Sequence, residues 1–186
     1  MLRPLPALAL GALVYVIALT VMFRAGPQDM SLFGITPLAY LTPFFGLAYV
    51  VTRRLGVLDI LYFLIALPLV HEVAIRLASR VPGWIAGRDS GAELLLAAGA
   101  VGGAVGAMLS FALLAAIRES ARSRTARRAA ISGTVALAAL GAIGVFVMFS
   151  DWARDFGYVL LYLPWQLTFA YFLTRMIGRE APASSL

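Results

Sequence analysis

One apolar stretch, residues 57–80, carries the side chains whose types and spacing could do chemistry. Its sequence, VLDILYFLIALPLVHEVAIRLASR, is apolar enough to cross a bilayer, yet it holds Asp59, Glu72, Arg76 and the only histidine, His71. Ionisable groups at membrane depth are costly, so they normally face protein or water and mark a functional site. These residue types could bind a proton or a cation, with Glu72 as the acceptor and His71 as a relay.

Helix geometry places four side chains of this stretch on one face. At about 100° per residue, an arc of about 140° contains Asp59, Tyr62, Glu72 and Arg76. Glu72 and Arg76 are also four residues apart with the acid first, which is the favoured order for an ion pair. His71 falls on a different face, so we expect it to contact another helix.

The Glu72–Arg76 pair and His71 also have structural interpretations. Arg76 could extend to the outer membrane–water interface with Glu72 as its partner, because a buried carboxylate left unpaired costs several kcal/mol. A lone histidine could be a proton relay, a haem or metal ligand, or a hydrogen-bonded contact between helices. The chain has no cysteine, and one histidine cannot complete a typical zinc site or a bis-histidine haem site. We therefore expect no metal site and no cofactor.

Asp59 and Pro68 have predicted roles in shaping the same stretch. Asp59 lies at the start of its helix near Arg53 and Arg54, where a carboxylate offsets the helix dipole and can pair with these arginines. Pro68 has no N–H to donate to the carbonyl of Leu64, so we expect the helix to bend there.

The composition defines the class of protein. The chain has 186 residues, of which 62% are hydrophobic and 13% are charged. A soluble domain of this size could not bury that much apolar surface, so we predict an all-α, polytopic membrane protein with one transmembrane domain over residues 1–186. The net charge of +6 comes from arginines that mostly flank apolar segments, where topology explains them. No nucleic-acid partner is expected.

Six apolar segments predict six transmembrane helices, at residues 5–23, 32–51, 57–78, 94–117, 131–150 and 158–174. Ten of the fifteen arginines lie on the side of the membrane that holds both termini. The positive-inside rule identifies that side as the cytoplasm. We therefore expect a multi-pass protein of the bacterial inner membrane with both termini in the cytoplasm. Pro43 and Pro164 should bend the second and sixth helices.

Small residues recur at helical spacing in the fourth and fifth predicted helices. The pattern consists of Gly99, Gly102, Gly103 and Gly106 in the fourth helix and of Gly141 and Gly144 in the fifth. Small side chains at this spacing let helices approach closely within lipid. We expect these two helices to pack together, although the same face could form a homo-oligomer or hold a partner subunit.

The sixth predicted helix carries an aromatic stripe and one polar group at depth. Within about 80° of one another lie Tyr158, Tyr162, Trp165, Phe169 and Phe172. Such a stripe could stack on a lipid, quinone or pigment, or it could anchor the helix or pack in the core. Gln166 lies beside the stripe, and with Tyr40 and Thr42 of the second helix it could join the Glu72 cluster.

The loop at residues 118–128 contains five arginines and one glutamate. At about 1 kcal/mol per charge, these arginines could hold anionic lipid head groups at the bilayer surface. Fixing the topology is the simpler role of the loop. Lipid head groups and the bilayer itself are therefore the expected partners.

Six residues of this chain resemble a known motif. HEVAIR at residues 71–76 resembles the Glu-Glu-x-x-x-Arg motif of CAAX-type intramembrane proteases, with His71 in the place of the first glutamate. The phenylalanine–histidine motif of that family needs a second histidine, but the position four residues after Phe111 is Ala115. Protease activity is therefore not expected, and the sequence contains no other catalytic motif.

Three functions remain open from the sequence. Transport or permeation of a small solute or ion is the leading hypothesis, because charged residues at depth beside proline-bent helices are typical of pathways. The first alternative is a non-catalytic subunit or assembly factor of a larger membrane complex. The second is a membrane-embedded enzyme acting on lipid, which the lack of motifs disfavours.

Overall fold

The structure is a computed structural model that describes residues 4–25, 35–52, 55–85, 91–153 and 156–177. Nearly all of these residues are helical and none lies in a β-strand, so the predicted all-α class is confirmed for the described chain. In chain order the elements are α1 (Pro4–Ala25), α2 (Pro37–Tyr40), α3 (Pro43–Thr52), α4 (Val57–Leu61), a π-helix (Tyr62–Ala66), α5 (Leu67–Ile85), α6 (Ala92–Ile117), a 3₁₀-helix (Glu119–Arg122), α7 (Arg124–Met148), a second 3₁₀-helix (Asp151–Ala153) and α8 (Gly157–Ile177).

Within the described ranges, four helical segments are long and apolar enough to cross a membrane: Pro4–Arg24, Val57–Val81, Ala92–Ile117 and Arg124–Met148. Helices of this length and composition are those of a membrane protein. The 21 residues of α8 are also long enough, but its tyrosine, tryptophan, glutamine and proline residues make it less apolar. The apolar segment Pro37–Thr52 is shorter, and the predicted start of that helix at residues 32–34 lies outside the described residues.

The second apolar segment is broken where the sequence places Pro43. Helix α2 ends at Tyr40, the chain turns over two residues, and α3 starts at Pro43. Proline fits the first position of a helix because it has no N–H to donate. The expected bend is therefore a break between two helices. From this turn, the side chain of Thr42 reaches His71 on α5.

The third apolar segment is widened just before Pro68. One π-helical turn, Tyr62–Ala66, joins α4 to α5, and the N–H of Leu67 donates to the carbonyl of Tyr62 five residues earlier. The proline ring crowds the carbonyl four residues before it, and a wider turn accommodates that crowding. The phenol of Tyr62 donates to the carbonyl of Ser110 at 3.0 Å, which ties the π-helix to α6.

The long helices follow one another around the bundle. Helix α1 packs on α3, α3 on the π-helix, α5 on α6, α6 on α7 and α7 on α8, and α8 packs back on α1. The first and last helices are therefore neighbours. The side chains that are almost fully buried between the helices include Tyr15, Phe45, Leu114, Leu137 and Leu173.

Three glycines of the pattern, Gly99 and Gly103 of α6 and Gly141 of α7, lie where these two helices are in backbone contact. A Cβ atom at Gly99 would overlap the carbonyl oxygen of Gly141, and one at Gly103 would overlap that of Leu137. Only glycine permits this separation between the two helix axes, since any side chain would force the backbones apart.

The other glycines of the pattern face different helices. Gly102 and Gly106 approach alanine side chains of α5, whereas Gly144 approaches Leu161 of α8. The glycine pattern therefore serves three interfaces, and the interface between α6 and α7 is only one of them.

The outward faces of the long helices are apolar. Large side chains that are exposed include Ile17, Val21, Leu61, Ile65, Leu69, Met108, Ile131, Val135 and Ile143. This surface suits contact with the hydrocarbon of a bilayer, because a soluble monomer rarely exposes so much contiguous apolar area.

Candidate functional site

Both carboxylate oxygens of Glu72 are bonded to neighbouring groups. Oε1 accepts from Nε of Arg76 at 2.6 Å, and Oε2 accepts from the backbone N–H of Thr36 at 3.0 Å and from its hydroxyl at 2.8 Å. The side chain of Glu72 is 10% exposed, whereas that of Arg76 is 56% exposed. Glu72 therefore fixes the residue before α2 to the middle of α5, with Arg76 extending away from the protein interior.

His71 points to a different set of groups from its neighbour Glu72. Its Nδ1 lies 2.7 Å from the hydroxyl of Thr42, and its ring lies near the rings of Tyr15 and Tyr162. The hydroxyl of Thr42 also lies 3.0 Å from the carbonyl of Leu38. Nδ1 of His71 can either donate to the hydroxyl of Thr42 or accept its proton, so the contact joins α5 to the turn before α3 in both tautomers of the ring.

A cavity of about 120 Å³ lies inside the bundle beside His71. Along α5 it extends from Leu67 to Ala78, a length of about 16 Å. Its wall consists largely of apolar side chains and of Gly99, Gly102, Gly103, Gly106 and Gly141. The side chains with polar atoms in the wall are Thr42, His71, Ser110, Tyr162, Trp165 and Gln166. The cavity is thus an apolar chamber with polar groups from several helices.

Gln166 is the most unusual group in the cavity wall. The residue is 3% exposed, and its Oε1 is buried without a hydrogen-bond partner among the described residues. Leaving a buried amide oxygen unpaired costs about 1–3 kcal/mol. Native structures usually satisfy such atoms, so an unpaired acceptor in the wall of a cavity is a site for a water molecule or a ligand that supplies the missing donor.

The aromatic stripe of α8 faces the interior of the bundle. Tyr162, Trp165 and Phe169 all line the cavity, and the ring of Trp165 stacks on that of Phe169 at 5.4 Å. Phe45 of α3 packs against Phe169 with 5.5 Å between ring centroids, and both side chains are almost fully buried. These two rings and Leu67 belong to the part of the cavity wall that lies nearest the middle of the bundle.

Asp59 and Tyr62 do not join Glu72, although the helical wheel places them on one face. Asp59 lies 13 residues before Glu72, about 20 Å along the helix, and a shared face does not bridge that distance. Asp59 pairs with Arg118 at the end of α6, with 2.6 Å between Oδ1 and Nε. The predicted partners at positions 53 and 54 lie outside the described residues. Tyr62 bonds to α6 as described above.

The remaining polar residues of the predicted cluster divide between two places. Gln166 and Thr42 line the cavity with His71, and Glu72 does not line it. Tyr40 lies elsewhere, since its hydroxyl contacts the sulfur of Met22 at 3.1 Å. The structure therefore separates a cavity site around His71 from an anchoring contact around Glu72.

Sequence reasoning missed three groups that matter to this arrangement: Thr36, Ser110 and Arg118. A threonine directly before Pro37 is a typical helix start, and this signal could have identified Thr36. Nothing in the local sequence indicates that Ser110 lines the cavity or that Arg118 reaches Asp59, because both contacts depend on how helices distant in sequence pack.

Comparison of the chain with known protein families, with characterised proteins and with solved structures found no match.

Proposed function

We propose that this protein is a membrane permeation protein for small uncharged solutes, which pass through the central cavity. The buried and unpaired Oε1 of Gln166 in the cavity wall is the observation that carries this proposal. His71 lines the same chamber, so a solute that donates a hydrogen bond to Gln166 also lies close to its imidazole ring.

The size of the cavity limits the solute to small molecules. At about 30 Å³ per water in the liquid, 120 Å³ corresponds to about four water molecules. Urea and glycerol are in this range and carry several hydrogen-bond donors. Such solutes cross lipid slowly because they must lose their water, and acceptors inside an apolar chamber replace part of that hydration.

The chemistry of the wall favours neutral solutes over ions. Among the described residues that line the cavity there is no carboxylate and no guanidinium. An ion in an apolar chamber without a counter-charge loses far more hydration free energy than a few neutral dipoles return. Glu72, the carboxylate nearest in sequence, is engaged by Thr36 and Arg76 and acts as a positioning residue.

Passage of the solute between Phe45 and Phe169 requires these two rings to separate. The two rings pack against each other, and hydrophobic constrictions of this kind control permeation in channels. The proposed cycle therefore has a solute held beside Gln166 until these rings separate.

The proposal is tested by replacing Gln166 with leucine. Proteoliposomes are mixed with hyperosmotic urea or glycerol, and light scattering follows their re-swelling. The wild-type protein is expected to accelerate re-swelling above that of protein-free liposomes, and Gln166→Leu should lower this increment about tenfold or more. The same substitution should leave the thermal stability unchanged or raise it, because it removes an unpaired buried oxygen.

Thr174→Val is the matched control, since it also replaces a polar by an apolar group on α8, at a site whose hydroxyl bonds only to its own helix. It should conduct like the wild type. If Gln166→Leu conducts normally, the cavity is not the pathway. If the wild type passes potassium and not neutral solutes, the solute class proposed here is wrong.

We also propose that the chain crosses the bacterial inner membrane six times with both termini in the cytoplasm. Support comes from the closed order of helices, in which α8 and the α2–α3 segment occupy positions between the four long apolar helices. The distribution of the arginines supports the orientation.

Single cysteine substitutions test this topology, because the chain has no cysteine of its own. Thr125→Cys lies at the start of α7, and Ser150→Cys follows its end. In intact spheroplasts a membrane-impermeant maleimide should label only Ser150→Cys, and after permeabilisation it should label both. Labelling of Thr125→Cys alone would reverse the orientation, and labelling of both in intact spheroplasts would contradict a transmembrane α7.

A further inference from the structure

A second, larger cavity lies on the flank of the bundle between α6 and α7, away from the central chamber. Its volume is about 480 Å³, and its lining residues are Met108, Phe111, Ala112, Ala115, Ala121, Arg122, Arg127, Ala130, Ile131, Thr134, Val135 and Met176. We call it the flank groove. Met108, Ile131 and Val135 are largely exposed, whereas Phe111 is buried at its base. The groove is therefore an apolar surface open toward lipid.

Two guanidinium groups stand at one end of the flank groove. Arg122 is held in place, because its Nε and Nη2 donate to the carbonyls of Ala115 and Ala116 at the end of α6. Arg127 lies on the first turn of α7, and its guanidinium has no hydrogen bond or ion pair with any other described residue. No acidic side chain lies among the described residues that line the groove.

We propose that the flank groove binds one phospholipid with an anionic head group, the acyl chain lying between α6 and α7 and the phosphate on Arg127 and Arg122. From Met108 to Ala115 the apolar wall extends about 10 Å along α6, and the arginines follow where the helix ends. The flank groove is apolar along its length and ends at two cations. It therefore matches a phospholipid with an apolar acyl chain and an anionic head group. Arginine suits the phosphate because its planar fork of donors fits two oxygens at once.

The proposed site is more specific than a general attraction of acidic lipids to the basic loop at residues 118–128. The same region also contains Arg124 and Arg128, which are exposed but do not line the groove. If only the total charge mattered, all these arginines would be equivalent. The flank groove predicts that Arg127 differs from Arg124 and Arg128.

Native mass spectrometry of the full-length protein in detergent, titrated with phosphatidylglycerol or with phosphatidylcholine, tests the site. The wild type should bind the first phosphatidylglycerol molecule more tightly than the first phosphatidylcholine. Arg127→Gln should weaken phosphatidylglycerol binding about fivefold, whereas Arg124→Gln and Arg128→Gln, with the same change in charge, should leave it nearly unchanged. Equal weakening by all three substitutions, or none by Arg127→Gln, would overturn the proposal.

A second pair of variants tests the apolar part without altering charge. Ala112→Trp fills the groove from an exposed wall position, and Ala139→Trp places the same bulk at an exposed position of α7, one turn beyond Val135 and outside the groove. Ala112→Trp should reduce phospholipid binding and Ala139→Trp should not. Equal binding by the two tryptophan variants would mean that no acyl chain occupies the groove. A preference for phosphatidylcholine would mean that the guanidinium groups do not select the head group.

Discussion

Gly103→Ala is expected to lower the stability of the bundle by about 3 kcal/mol, at the upper end of the range for overpacked cores. The new methyl group would overlap the carbonyl oxygen of Leu137, and it would also approach Ala138. Both obstacles are backbone atoms, so no side-chain rotation can relieve the overlap and the helix axes must separate. Denaturant or thermal unfolding in detergent micelles, followed by circular dichroism, measures the loss.

Gly106→Ala is the matched control because it lies one turn along the same helix. Its methyl group would meet the Cβ atom of Ala74 at 3.4 Å, which is ordinary van der Waals contact. Alanine favours the helix by about 1 kcal/mol over glycine, so this variant should be neutral or slightly stabilised. If the two variants unfold alike, α6 and α7 are not in backbone contact.

This contrast marks the limit of what the glycine pattern could predict. Spacing alone indicates that one face of the helix carries small residues and that another helix packs closely on that face. It cannot tell Gly103 from Gly106, because their directions differ by only about 60° on the wheel and the choice of partner depends on where α5 and α7 lie. The helical class and the long apolar segments were accessible from composition, but the assignment of each glycine to a neighbour was not.

The polar residues show the same division between local and tertiary information. The ion pair between Glu72 and Arg76 follows from their separation by four residues, and the structure contains it. The partner of Oε2 is Thr36, 36 residues away, and no local pattern indicates it. Grouping Asp59 with Glu72 failed because a helical wheel shows direction and ignores the axial distance.

Gln166 shows why the site itself was difficult to locate. Its depth in α8 was visible in the sequence, as was the aromatic stripe beside it. Five glycines of α6 and α7 contribute to the cavity wall, and the sequence does not show that they lie beside a cavity. Its position relative to His71 and Gln166 depends on the break before Pro43 and on the packing of α8, which are properties of the assembled bundle.

Glu72→Leu is expected to destabilise the protein by about 3 kcal/mol and to detach the start of α2 from α5. The change removes two hydrogen bonds that Thr36 donates to a charged acceptor, and each is worth about 1.5–3 kcal/mol. The pair with Arg76 adds little, because that side chain is 56% exposed and water screens it. Glu72→Gln should cost less, since its amide oxygen can still accept from Thr36. Unfolding in detergent ranks the two variants.

Two further variants separate anchoring from loss of charge. Glu93→Gln removes a carboxylate from the exposed first turn of α6 and should change stability little. Thr36→Val removes one of the two bonds to Oε2 and keeps the backbone bond, so its effect should lie between those of Glu93→Gln and Glu72→Leu. In a double-mutant cycle, the effects of Thr36→Val and Glu72→Leu should be less than additive, because both remove the same contact.

Solute flux through Glu72→Gln decides between the two roles that the sequence left open for this carboxylate. Glu72 is a positioning residue outside the cavity wall, so its charge does not contact the solute. Once folded, Glu72→Gln should therefore pass urea and glycerol at a rate within about twofold of that of the wild type. Loss of flux at unchanged stability would instead make the carboxylate part of the pathway.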